Sequence, residues 1–146
     1  MLLSNIQSII KSLRGKTIAI VYIFEKEDAP GFNHFLAWKD NILIGWLNAI
    51  YELKCLPYII DVRTFIQKAS NYSLPHIDYV INLNSGCYKL STMGLVPSVC
   101  SFLDIPCIPC NAVSILSCEN KKISNYIAQG FGMMIPQFIN NGITKG

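Results

Sequence analysis

A chain of 146 residues, 51% AVILMFWYC and only 14% charged, has the size of one domain and buries about 68–70% of its unfolded surface on folding. So apolar a composition calls for strands covered on both faces, or for an exposed patch that meets a partner, and both are expected. The net charge of +3 comes from scattered lysines rather than a stripe, which argues against a nucleic-acid binder.

Leu3, Ile6, Ile9, Ile10 and Leu13 recur at helical spacing and predict a short amphipathic helix over residues 1–15 that stops at Gly15. Thr17 to Phe24 is a nearly unbroken β-branched and aromatic run, the pattern of a strand buried on both faces. A polar loop from Glu25 to about Trp38 follows, with the turn signal Pro30-Gly31. Asp40 or Asn41 is placed to cap a helix whose Leu43, Trp46, Leu47, Ile50 and Leu53 form one stripe. Pro57 introduces a second strand, Tyr58 to Val62, and Arg63 to Ser73 reads as a short helical or irregular surface stretch.

The third strand is expected at Tyr79 to Leu83. Leu95, Val99, Phe102 and Leu103 mark the next helix, with Pro97 tolerated near its first turn. Ile105 to Ile108 is a short fourth strand, and Ile123, Tyr126 and Ile127 mark the last helix. Strands alternating with helices at this spacing predict an α/β fold, a parallel sheet with helices on both faces. Its domain is expected over residues 16–136, with 137–146 opening a linker or a truncated next domain.

Six cysteines, at 55, 87, 100, 107, 110 and 118, sit mostly within apolar runs. The first sixteen residues are polar every few positions, and the run from Thr17 to Phe24 is too short to span a bilayer. It leads into Glu25-Lys26-Glu27-Asp28 rather than a small-residue cleavage site. These features predict a cytoplasmic protein with no membrane partner, its cysteines reduced and packed as small hydrophobes. Cys107-Ile108-Pro109-Cys110 fits C-x-x-C, but no second cysteine pair exists and His34 and His76 stand isolated, so no metal site is expected. The motif also ends a strand, whereas a thioredoxin-type dithiol opens a helix. No Gly-x-Gly-x-x-Gly, Gly-Lys-Ser/Thr or Gly-x-Ser-x-Gly pattern occurs, and no catalytic residue is assigned.

Residues 78–136 run strand, small polar loop, helix, the segment Ile105-Pro106-Cys107-Ile108, a few small residues, and Asn120-Lys121 opening a helix. That helix closes in Gly130 and Gly132 before Ile135-Pro136. This order resembles the first domain of the ATP-grasp ligases, above all the D-alanine–D-alanine ligase group, across roughly the last half of the chain. The resemblance implies a Rossmann-like sheet and a small-molecule substrate held partly by the loop Asn84-Ser85-Gly86. It also implies that Lys121 reaches nucleotide phosphate, where the family has Asp-Lys. Glu27 would take the place of the glutamate that holds a substrate ammonium. This chain has Asn84 or Ser85 where the family carries a histidine, and Lys89 to Gly94 in place of an acidic-glycine stretch; it also lacks the family's glycines and serine around Glu27.

ATP and Mg²⁺ are therefore expected only in a complete ligase, whose further lysine-bearing sheet and acidic metal ligands are not among residues 1–146. On this reading the chain is inactive alone and its partners are the missing ATP-grasp domains or a self-association surface. The alternative is a stand-alone α/β interaction or ligand-binding module of flavodoxin or receiver type. In that reading Glu27 or Asp28 would be a metal-binding or phosphoacceptor acid, although the third strand closes in Asn82 and Asn84 rather than an acid.

Overall fold

A computed structural model describes residues 2–23, 38–86 and 90–135. Four strands, β1 (Thr17–Tyr22), β2 (Leu56–Asp61), β3 (Tyr79–Leu83) and β4 (Cys107–Ile108), form one all-parallel sheet in the order β2-β1-β3-β4. The helices are α1 (Leu2–Leu13), α2 (Asp40–Glu52), α3 (Val62–Ser70), α4 (Leu95–Phe102), α5 (Ala112–Glu119) and α6 (Lys121–Gly130), with a 3-10 turn at Leu90–Gly94 before α4. The Rossmann-like α/β class expected from the sequence is the one observed.

The central strands explain the sequence's apolar excess. In β1, Ala19, Ile20 and Val21 are completely buried, because alternate side chains enter two separate cores. Ile18, Ile20, Tyr22, Ile81 and Leu83 pack with Ile50 of α2 and Leu13 of α1 on one face. Ala19, Val21, Ile60 and Val80 pack with Phe65 of α3 and with Val96 and Cys100 of α4 on the other. The connection from β1 to β2 thus runs on one face, and those from β2 to β3 and β3 to β4 on the opposite face, the arrangement of a doubly wound sheet.

Each helix followed by a strand exits through one left-handed residue: Gly15, Lys54, Tyr72 and Asp104 have φ of 75°, 58°, 53° and 55°. This conformation reverses the chain after a helix, and only at position 15 is it supplied by glycine, the residue that adopts it without strain. Pro57 lies inside β2, a shift from its expected place before the strand. Leu56 N–H donates to Lys16 O at 2.8 Å, so the neighbouring ring nitrogen of Pro57 faces the open edge, where no donor is required.

Several local expectations differ. The second strand starts earlier, at Leu56, and ends one residue earlier because Asp61, its last residue, caps α3, its carboxylate accepting from the N–H groups of Arg63 (2.9 Å) and Thr64 (3.5 Å). The segment after it is a regular helix with a fully buried Phe65, not a surface stretch. Helix α2 is preceded by Lys39 with no side-chain cap, leaving Asp40 in the first turn. In α4 the buried residues are Val96, Pro97 and Cys100, while Leu95 and Phe102 of the expected stripe are 44% and 79% exposed. Of the α1 stripe, Leu13 packs on the core, and Ile6, Ile9 and Ile10 are exposed. The strand foreseen at 105–108 is confined to Cys107–Ile108, and α5 was not foreseen.

The chain divides into two compact units, Met1–Leu116, which holds the sheet, and Ser117–Gly146. In the second, α6 is capped by Asn120, whose Oδ1 accepts from Ile123 N–H at 3.2 Å. No helix among the described residues is long and apolar enough to cross a membrane.

Candidate functional site at the carboxyl end of the sheet

The strand order reverses direction between β1 and β3. The helix that follows β1 packs on one face and the helix that follows β3 on the other, and it is at the carboxyl side of such a switch point that open α/β sheets generally hold ligands. Tyr22 and Ile23 end the β1 side, and Asn82 to Gly86 form the β3 side. Residues 24–37, and with them Glu25, Glu27, Asp28 and His34, lie outside the described residues. The hydroxyl of Tyr22 donates to Trp38 O, so β1 holds the chain where it re-enters toward α2.

Asn82 and Asn84 are the only buried polar side chains among the described residues, 6% and 2% exposed. Asn82 pairs in register with Val21, so it faces α3 and α4, and Asn84, two residues on, has the same facing. A primary amide in an apolar core is tolerated only when its donors and acceptor are met, and here they are. Asn82 Oδ1 accepts from Asn84 N–H at 3.0 Å, and Asn84 Oδ1 accepts from Gly86 N–H at 3.2 Å. Two successive side-chain-closed turns result, the type that Asn makes readily. On the other side of each amide, Asn82 Nδ2 donates to Met93 O at 3.4 Å and Asn84 Nδ2 to Thr92 O at 2.6 Å.

The two amides therefore stitch the end of β3 to the 3-10 turn that leads into α4. Gly86 occupies the left-handed region with φ of 73°, a conformation that glycine adopts without cost. The outcome is a tied-down segment, residues 84–86, at the switch point, with Ser85 half-buried and Gly86 buried. Of the residues expected at the substrate, Asn84, Ser85 and Gly86 come together here. The sequence marked them as turn formers; that Asn84 is buried and bonded at both ends of its amide was not legible, because Asn is mostly exposed.

Lys121 is the first residue of α6, exposed, in the second compact unit. The adjacent Lys122 ammonium lies 5.9 Å from the centroid of the Tyr126 ring, within cation–π range.

A second polar cluster sits at the opposite, amino end of the same two strands. Asp78 accepts from Lys16 Nζ at 2.8 Å with one oxygen and from Thr17 N–H at 2.8 Å with the other, and His76 Nε2 lies 3.4 Å from the first oxygen. The Lys16 hydrogen bond, then the Thr17 N–H, hold the Asp78 carboxyl down at about 2. These groups clamp β1 to β3 and leave no lone charge. Among the described residues no group of three or more His, Cys, Asp or Glu is placed to hold a metal ion, and Cys55, Cys100, Cys107, Cys110 and Cys118 form no disulfide.

No family model, no curated protein and no solved structure matches this chain.

Proposed function

We propose that this chain is the first, substrate-binding domain of an ATP-dependent carboxylate–amine ligase of ATP-grasp type, inactive by itself. The observation that carries the reading is the fixed Asn84-Ser85-Gly86 loop at the carboxyl side of a β1/β3 switch point, in a chain whose element order resembles that family's first domain. Ligands of open α/β sheets collect in such crevices, where loops present backbone and small polar side chains. In this reading Asn84 sets the loop, Ser85 and Gly86 meet a small substrate, Glu27 binds its ammonium and Lys121 meets nucleotide phosphate as a point charge. In the same reading ATP and Mg²⁺ belong to a site completed by other domains of the ligase.

The sheet order also suits the flavodoxin-type reading, in which the flavin sits at the same switch point. The location of the site is common to both readings, and the occupant separates them. The test is an amide NMR titration of the chain with a panel of small amino acids, with MgATP and with FMN. A half-open cleft should bind an amino acid with a dissociation constant on the order of 1 mM, about −4 kcal/mol. Shifts confined to Tyr22, Ile23 and Asn84 to Gly86 are expected. Shifts with FMN alone favour the flavodoxin type, and shifts at Lys16 and Asp78, or none, refute a carboxyl-end site.

A further inference from the structure

Two helices of this chain leave their apolar faces almost wholly uncovered. In α1, Ile6, Ile9, Ile10 and Leu13 recur at i, i+3, i+4 and i+7, with Ser8, Lys11 and Ser12 on the other side. Of these four only Leu13 packs on the sheet; residues 5–12 are all exposed, Ile9 to 58%. In α6, Ile123, Tyr126 and Ile127 share one face, away from Lys121 and Gln129, and no residue of the helix is buried. Phe131, Met133 and Met134, also exposed, follow it in the chain. Helices of 12 and 10 residues are marginal in water on propensity alone, and draw their stability from whatever covers the apolar face.

Charge points to the cover. Lys11, Arg14 and Lys16 are the charged residues of positions 1–16, and Lys121, Lys122 and Lys145 those of positions 120–146; neither stretch holds an acid. All nine acidic residues lie within positions 17–119, against six basic ones. The basic excess therefore flanks the two uncovered faces. Lys16 is taken by Asp78 at 2.8 Å, which leaves the exposed Lys11 and Arg14 beside one face and Lys121 and Lys122 beside the other. A rigid protein partner fits poorly. The 12-residue α1 offers a strip about 18 Å long and 10 Å wide, far below the roughly 800 Å² a side of a stable protein interface. A lipid surface sets no such minimum: apolar side chains enter the acyl boundary while lysine and arginine stay among the headgroups. Span length, the ground for expecting no membrane partner, has no bearing on a helix that lies in the plane of the interface.

We propose that α1 and α6 are in-plane anchors by which this chain attaches reversibly to an anionic lipid surface. The test sediments the full chain with phosphatidylcholine vesicles containing about one-third phosphatidylserine, and with pure phosphatidylcholine vesicles. Binding to the anionic vesicles should be at least about tenfold tighter than to the neutral ones, since each basic residue near the surface strengthens it several-fold. Most of that difference should vanish at about 0.5 M salt. Ile9→Glu and Ile127→Glu, both at exposed positions, should each weaken binding at least about fivefold, and the double variant should stay in solution. Phe102→Glu removes an equally exposed apolar side chain from α4 and should bind as the parent does. If a variant fails to fold by circular dichroism, the lipid and salt dependence of the unmodified chain decides alone. Lys121 is untouched throughout, so the ligase reading stands or falls separately. Equal binding to both vesicles, no binding at all, an unchanged double variant or an equal loss in Phe102→Glu would overturn the proposal. So would a lipid-free dimer in sedimentation equilibrium that the double variant breaks, which would give these faces to a second copy of the chain.

Discussion

Replacing Asn84 by alanine tests whether the loop at the switch point is held by its buried amide. The change removes the bond from Nδ2 to Thr92 O at 2.6 Å and the bond that Oδ1 receives from Gly86 N–H at 3.2 Å. Two net hydrogen bonds are worth about 1 kcal/mol each, and a buried N–H left without its acceptor adds about 1–3 kcal/mol, partly recovered by loop movement. The expected loss is about 2–4 kcal/mol, which for a chain of this size lowers the melting temperature by about 2–4 °C per kcal/mol. Urea unfolding followed by circular dichroism measures it, with an unchanged slope showing that stability alone has moved. Asn84→Asp adds a signed control. It keeps an acceptor for Gly86 but sets a carboxylate oxygen against Thr92 O, so the folded pKa is raised. The folded state then binds protons more tightly than the unfolded one, and its stability falls as pH rises through the carboxylate range. Asp should be worse than Ala at neutral pH and recover toward acid. A loss below about 0.5 kcal/mol for Asn84→Ala, the range of ordinary surface changes, would refute the structural role of the amide.

Three further outcomes follow from other parts of the chain. Asp78 has its folded pKa lowered from the ordinary 3.8 to about 2, so its contribution is full above the ordinary value and is lost as pH falls toward 2; melting curves of the parent and of Asp78→Asn should differ at pH 6 and converge at acid pH, and parallel profiles would contradict the clamp. Phe65, fully buried beneath α3, should cost about 3–5 kcal/mol on truncation to alanine, read from the urea midpoint. Lys121→Ala, at an exposed helix start, should change stability by less than about 0.5 kcal/mol, while in a complete ligase it should weaken apparent ATP affinity; unchanged kinetics there would make Lys121 a solvated helix residue only.

The strands were legible because burial on both faces excludes charged residues and leaves the runs almost wholly apolar, as in Thr17–Tyr22 and in Tyr79–Leu83 with its single Asn82. Helix faces were less so. Helix α4 reads LVPSVCSF, apolar nearly all round, so Leu95, Val99 and Phe102 and the truly buried Val96, Pro97 and Cys100 both satisfy helical spacing. Periodicity cannot choose a face when both are apolar; the packing against Val80 and Phe65 chooses it. Helix α3 carries a full i, i+3, i+4, i+7 stripe of Val62, Phe65, Ile66 and Ala69, but Val62 also fits as the last residue of the preceding apolar strand, and with it assigned there the stripe loses its first member. The loop Asn84 to Gly86 was found from its turn chemistry, but the burial of Asn82 and Asn84 and their bonds to Met93 O and Thr92 O depend on a 3-10 turn folding back on a strand end, which no local pattern carries.

Two polar clusters mark the two ends of the β1/β3 pair, and they offer a way to locate a ligand without seeing it. The amino-end cluster of Lys16, Thr17 and Asp78 is a charge clamp with a half-exposed lysine; the carboxyl-end cluster of Asn82 and Asn84 is neutral and buried. A ligand that binds only the folded chain, present at ten times its dissociation constant, stabilises it by about 1.4 kcal/mol. If it sits at the carboxyl end, loosening the loop by Asn84→Ala should abolish that increment, because Ser85 and Gly86 lose the geometry that Asn84 imposes. Loosening the other end by Asp78→Asn should lower the baseline and leave the increment intact. Measured as ligand-induced shifts in melting temperature, with the amino acid found by titration as the probe, the two variants must separate. An increment lost in Asp78→Asn and kept in Asn84→Ala would move the binding site to the amino ends of the strands, against the switch-point argument from which the functional proposal was built.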